Sequence, residues 1–218
     1  YTFNRLVDDV NRMIEIAPHE IQLELLKLLP GTYFRNCSNM LGIKFSPQPP
    51  YEVLETKSIS YKELYKCKVL SKIIEYWYNE PQWRDTFKAI VTTTNNFLEE
   101  LLNELSATQF LETLHSFESK SLLLYDFCKR FYPHHLNLLT LNWVKCGLSL
   151  KKEPAQNVMH WNIKDKDQIF NPIFEELERN NSYYYFDCDG YRYWFTYNKC
   201  IDRNRPIRSC REENYKKL

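Results

Sequence analysis

The sequence predicts a mainly α protein: a helix–strand passage, then a helical bundle, then a small α+β unit that carries a β-hairpin. Three observations lead there. Glycine is scarce, with only Gly31, Gly42, Gly147 and Gly190 in 218 residues, and a doubly wound sheet needs glycines in its βα turns. From Ser60 to about residue 150 the apolar residues recur at helical spacing. Asp189-Gly190 stands between two aromatic runs, which is the strongest short-range hairpin signal in the chain.

The elements follow in order. Phe3, Leu6, Val7, Val10, Met13 and Ile14 predict an opening amphipathic helix that Pro18 ends. Over residues 20–27, Ile21, Leu23 and Leu25 alternate with Gln22 and Glu24, which predicts a strand closed by Pro30-Gly31. A short helix is expected over 33–40. The three prolines of Phe45-Ser-Pro-Gln-Pro-Pro-Tyr51 predict an extended stretch and a domain boundary. Ser60 with Glu63 is a capping-box pair ahead of the stripe Leu64, Cys67, Leu70, Ile74 and Trp77, and Pro81 is expected to break that helix. Asn96 with Glu99 and Ser106 with Gln109 predict two further helix starts, the second leading the stripe Phe110, Leu111, Leu114 and Phe117. Residues 122–131 and 136–144 supply two more helices around Pro133. Past a polar linker at 151–154, Ile169, Ile173 and Leu177 predict a last helix, and the hairpin follows. A two-residue loop pairs Cys188 with Tyr191 and Asp187 with Arg192, putting Tyr184, Phe186, Tyr193 and Phe195 on one face and Asp187 with Arg192, expected to be an exposed pair, on the other. The domains expected are 1–45, 46–150 and 151–218.

Apolar residues make up 44% and charged residues 26%, the balance of a globular protein, and a net charge of +1 argues against a polyanion binder as a whole. Seven scattered cysteines, an odd number, suggest reduced thiols and a cytoplasmic protein. No apolar run approaches the ~18 residues that a membrane span needs. The first residue is Tyr1 rather than Met, so the chain is expected to begin inside a longer polypeptide.

The segment Ile16-Ala-Pro-His-Glu-Ile-Gln-Leu-Glu-Leu-Leu-Lys-Leu-Leu-Pro-Gly-Thr32 resembles the last part of a radical S-adenosylmethionine (radical-SAM) barrel. The continuation, Phe45-Ser-Pro-Gln-Pro-Pro-Tyr-Glu-Val-Leu-Glu-Thr-Lys57 and Ser60-Tyr-Lys-Glu-Leu64, resembles the start of an uncharacterised helical domain that follows the barrel in cobalamin-binding radical-SAM proteins. Together these motifs cover the first third of the chain. The resemblance implies radical chemistry in the full-length protein, with an iron–sulfur cluster, S-adenosylmethionine and cobalamin. It implies that Leu28, Leu29 and Gly31 line the adenine side of the barrel in the intact protein. It also implies that the N-terminal parts of the same full-length chain are the partner of this one. The cluster motif Cys-x-x-x-Cys-x-x-Cys is absent from all 218 residues, and no glycine-rich cofactor loop is present. The chain is therefore expected to hold no cofactor and to have no catalytic residue of its own. Its expected role is an accessory domain that covers or supports the barrel. With its barrel neighbours absent, the strand at 20–27 would have an open edge and is expected to favour self-association.

Other residues invite sharper readings. Cys188, Cys200 and Cys210, with His134 or His135, suggest a metal site, but the spacings lack the Cys-x-x-Cys pair usual in structural zinc sites, so buried thiols fit better. His134-His135 after Pro133 suits a helix start, and His19 suits a backbone hydrogen bond. Glu99-Glu100 and Glu175-Glu176 are adjacent and face different sides of a helix, unlike a working acid–base pair. The tail 199–218 carries seven Lys or Arg against Asp202, Glu212 and Glu213. Next to the aromatic hairpin it makes a nucleic-acid or protein-binding module the alternative function. Solvated surface remains the simpler account of such charge.

Overall fold

The computed structural model describes residues 1–161, 181–198 and 208–212. It is mainly helical with two small antiparallel sheets, and the chain divides into two compact units, Tyr1–Leu114 and His115–Leu218.

In the first unit, α1 (Phe3–Ile16) buries Phe3, Val7, Val10 and Ile14, the predicted stripe, and stops at Ala17 in the left-handed region. The short helices α2 (Tyr33–Asn36) and α3 (Ser38–Leu41) follow, then β1 (Lys44–Phe45) paired with β2 (Val53–Glu55). The proline-rich stretch between them is not extended, as predicted, but turned. The Tyr51 N–H donates to the Gln48 carbonyl at 2.9 Å across a cis Pro49–Pro50 bond. Prolines suit a tight turn as well as an extended run, and pairing of the flanking strands decides for the turn.

Helix α4 (Tyr61–Ile73) opens on the predicted capping box: the Ser60 side chain accepts from the Glu63 N–H, and the Glu63 carboxylate accepts from the Ser60 N–H at 2.7 Å. It runs on into a π-helical turn, Ile74–Tyr78. The helical run stops at Tyr78, ahead of Pro81 as expected, and Pro81 is the first residue of α5 (Pro81–Thr93), where its missing N–H costs no bond. Helix α6 (Phe97–Ser106) begins as expected, although Asn96 makes no side-chain cap. Trp77 stacks on Phe87 and Phe110 at centroid distances of 6.1 and 6.2 Å, and together with Trp83 and Phe97 these rings form the centre of the unit's core. Each such side chain contributes about 1.5–3 kcal/mol by leaving water.

The helix expected from Ser106 does not form. The Ser106 hydroxyl donates back to the Leu102 carbonyl at 2.6 Å, and that of Thr108 to Leu105 at 2.8 Å, so both hydroxyls close α6 instead of opening a new helix. Phe110 of the expected stripe is buried, but Leu114 is exposed.

In the second unit, α7 (Phe117–Phe131) is capped by Ser116, and a 3-10 turn at Pro133–His135 leads into α8 (Leu136–Lys145). The sheet runs in the order β3 (Met159–Trp161), β4 (Asn181–Cys188), β5 (Tyr191–Asn198), β6 (Arg208–Glu212), antiparallel throughout. The β4–β5 hairpin has the predicted register, from Cys188↔Tyr191 to Tyr184↔Phe195. Asp189 and Gly190 both have positive φ, 51° and 80°, as a type I′ turn requires. Phe186 and Phe195 pack with Leu141, Trp143 and Val144 of α8. The cover expected from Ile169, Ile173 and Leu177 lies outside the described residues.

One expectation about the hairpin is overturned. Asp187 and Arg192 are opposite each other as predicted but are not an exposed pair, since the Arg192 side chain is only 4% exposed. Arg192 Nε and Nη2 donate to the two carboxylate oxygens at 2.7 and 2.9 Å, and the guanidinium lies 4.2 Å from the Tyr185 ring centroid. Both faces of the β4–β5 hairpin carry buried side chains: Tyr183, Trp194 and Thr196 share the second face with Arg192.

Candidate functional site: a clamped segment and its cleft

The predicted strand at 20–27 is not a regular strand. The segment is extended and keeps the predicted alternation, with Ile21 buried, Leu23 and Leu25 half-buried, and Gln22 and Glu24 exposed. Its one ladder contact is an isolated bridge, Lys27↔Glu52. Alternation sets which way side chains point, but a strand also needs a neighbouring backbone, and here side chains take that place.

The clamp comes from α4 and the π turn. The Tyr78 hydroxyl donates to the Pro18 carbonyl at 2.6 Å, and the Ser71 hydroxyl to the Leu23 carbonyl at 2.7 Å. Asn79 binds Ile21 twice: its Oδ1 accepts from the Ile21 N–H at 3.0 Å, and its Nδ2 donates to the Ile21 carbonyl at 2.9 Å. The π turn puts Asn79 there, since its N–H reaches back five residues to the Ile74 carbonyl at 2.8 Å. Arg84 Nε donates to the Tyr78 carbonyl at 3.0 Å and braces the turn. Its Nη1 lies 3.5 Å from Nδ1 of His19, so His19 faces a guanidinium rather than the backbone expected for it. At the far end of the segment, the Val53 N–H donates to Leu26 and the Leu28 N–H to Tyr51, at 3.0 and 2.8 Å. Between these attachments, the backbone groups of Gln22, Glu24 and Leu25 have no hydrogen-bond partner among the described residues.

Beside the segment lies a cleft of about 700 Å³, floored by Leu23, Leu25, Val53, Ile59 and Leu64. Its polar side includes Lys68, paired with Glu52 at 2.5 Å. Cys67 also lines it, but burial pushes its thiol up to about 11, so it is not a ready nucleophile. Around the segment, Ile16, Leu26, Leu29, Tyr33, Phe34 and Met40 are all at least half exposed, a run of large apolar side chains facing water.

The residues singled out by sequence are dispersed. Leu28 is 1% exposed and belongs to the core, whereas Leu29 is exposed and Gly31 has φ +80° with open space beside it. Cys188 is buried under the hairpin, its thiol raised to about 12 by desolvation and by the neighbouring Asp189. Cys200 lies outside the described residues, and Cys210 stands opposite Trp194 on β6. His134 is exposed and His135 buried, and burial with the adjacent His134 lowers the His135 pKa. Among the described residues no three His, Cys, Asp or Glu side chains come together as metal ligands. The spacing Cys-x-x-x-Cys-x-x-Cys does not occur in the sequence, in which the nearest cysteines, Cys200 and Cys210, are ten positions apart. Glu99 and Glu100 are exposed on the first turn of α6, and Glu175 and Glu176 lie outside the described residues.

Sequence reasoning missed Asn79 and the π turn. The signal was an amide side chain directly after the aromatic stripe and two residues before Pro81. No helix among the described residues is long and apolar enough to cross a membrane.

A family model described as a protein of unknown function (DUF4080) matches residues 39–183. No curated protein and no solved structure matches the chain.

Proposed function

The chain belongs to the DUF4080 family, and from that premise we propose that it is the C-terminal accessory part of a radical-SAM protein, covering or supporting the barrel without catalysing by itself. The observation that carries this reading is the exposed apolar run around residues 16–40. That run surrounds the passage resembling the end of a barrel, and large apolar side chains grouped at a surface mark an interaction site. The cluster, S-adenosylmethionine and cobalamin would be held by the preceding parts of the polypeptide, since this chain lacks the cysteine motif for the first and the glycine-rich loops for the others. Leu29 and Gly31, exposed at the end of the clamped segment, would be its contribution near the adenine, with Leu28 supporting them from the core. In the cell the compartment would be the cytoplasm.

The test is to read the coding sequence upstream of Tyr1. A Cys-x-x-x-Cys-x-x-Cys motif followed by barrel-like strands is expected, and a reading frame without it sinks the proposal. Purified alone and reconstituted anaerobically, the chain is expected to bind no stoichiometric iron and to cleave no S-adenosylmethionine. Iron binding with activity would show that the catalytic parts are here after all. The alternative, a nucleic-acid or protein-binding module on the hairpin and basic tail, is less favoured by the hairpin, where Tyr183, Phe186, Trp194, Phe195 and Tyr197 are buried and Tyr184, Tyr185, Tyr191 and Tyr193 are part-exposed; most of the tail lies outside the described residues.

A further inference from the structure

The clamp on residues 18–23 has the hydrogen-bond geometry of a β neighbour. A carboxamide carries one carbonyl and one N–H₂, the same pair of functions as a peptide group, and Asn79 uses both on the same residue. This is the exchange that two residues make in a hydrogen-bonded pair of an antiparallel ladder. In an extended backbone, alternate residues point their N–H and C=O to the same side, so Ile21 and Leu23 share one side, and the Ser71 hydroxyl takes the Leu23 carbonyl there. By the same alternation Gln22 and Glu24 point theirs to the other side. Leu26 and Leu28 also point that way and are bonded to Val53 and Tyr51. The second side is therefore paired at 26–28 and unpaired at 22 and 24, among the described residues.

We infer that Asn79, with Ser71 and Tyr78, is a positioning set whose side chains replace one β neighbour of residues 18–23 and hold Gln22 and Glu24 extended for pairing with an incoming strand. On the reading proposed above, that strand comes from the barrel part of the same protein, and the helical domain would then support the barrel by fixing the register of its last strand. Register matters because a one-residue slip would exchange the positions of the inward Ile21, Leu23 and Leu25 with those of the exposed Gln22 and Glu24. Main-chain pairing would supply the affinity, and the alternating apolar floor the selectivity, as in other strand additions.

Hydrogen exchange followed residue by residue tests both halves. In this chain, Asn79→Ala is expected to speed exchange of the Ile21 amide by about tenfold or more, the loss of one buried-side hydrogen bond. Asn79→Asp keeps the oxygen that accepts from the Ile21 N–H but sets a carboxylate oxygen toward the Ile21 carbonyl where Nδ2 donated, so it is expected to restore only part of that protection. An Ile21 amide that exchanges equally fast in all three proteins overturns the positioning role. In the protein extended upstream to its own start, the Gln22 and Glu24 amides are expected to be protected at least tenfold over this chain, and Asn79→Ala to remove part of that protection. Equal exchange in the short and extended proteins overturns strand pairing. An upstream sequence without the cluster motif would sink the radical-SAM reading, and the Ile21 comparison would still decide the clamp.

Discussion

Two stretches of this chain look alike in sequence and fold differently. Residues 183–197 and residues 21–25 both read as strands, yet the first is an eight-residue pair of ladder strands and the second is an extended segment with one isolated bridge. The hairpin carries its own partner: Asp189-Gly190 turns the chain back on itself, so β4 finds β5 with a loop of two residues. Residues 21–25 have no such turn beside them. Alternation states that a segment fits a half-buried extended path, and a local turn states what it pairs with.

The largest expected effects should therefore fall on the hairpin. Phe195 is fully buried against α8, and Phe195→Ala is expected to cost about 3–5 kcal/mol in urea unfolding. Leu25, half-buried at the cleft, should lose less than about 1.5 kcal/mol on the same truncation. A larger loss at Leu25 would mean that the segment, not the hairpin, organises the fold.

The ion pair of the hairpin comes next. Asp187→Ala leaves a nearly buried guanidinium with its two charge-assisted bonds gone, and the expected cost is about 2–3 kcal/mol, discounted because Asp187 itself is partly exposed. Gly190→Val forces a β-branched residue to φ +80°, for about 1–2 kcal/mol, since no heavy atom crowds the site and only the backbone resists. An exposed pair would reverse that order, so comparing the two midpoints tests the burial of Arg192 directly.

How much of this was legible follows the same division. The helices α1 and α4 were readable because their stripes and caps are local, and so was the hairpin register. Helix α8 was placed by the proline before it, while α7 starts at Phe117 rather than at 122, because Phe117 also fits the stripe expected from Ser106. The fate of Ser106 was not, because a hydroxyl that can open one helix can equally close another, and only the backbone decides. The burial of Arg192 was hidden for a related reason: a strand shows which residues share a face, not whether that face is covered. The clamp was the least legible feature. Asn79 is 58 residues from Ile21, and a π turn has no strong residue signature, so the amide ahead of Pro81 signals a feature there without naming its partner.

The smallest expected effect is the sharpest test of the contrast. Proline placed within a central strand such as β5 removes a ladder donor, but at Glu24 the N–H has no partner among the described residues to lose. The preceding Leu23 is already extended, which proline requires of its neighbour. Glu24→Pro should therefore leave the urea midpoint within about 0.5 kcal/mol of the parent, the range of a surface substitution. It should nonetheless change association. If the chain pairs with a second copy through its open edge, as unpaired backbone at a surface favours, sedimentation at rising concentration will show a dimer in the parent. Glu24→Pro, which removes a donor from the edge and blocks close approach, should shift that dimer toward monomer. Dimerisation undiminished by the proline would place the contact elsewhere. A midpoint lowered by several kcal/mol would show that residue 24 is already held in a ladder.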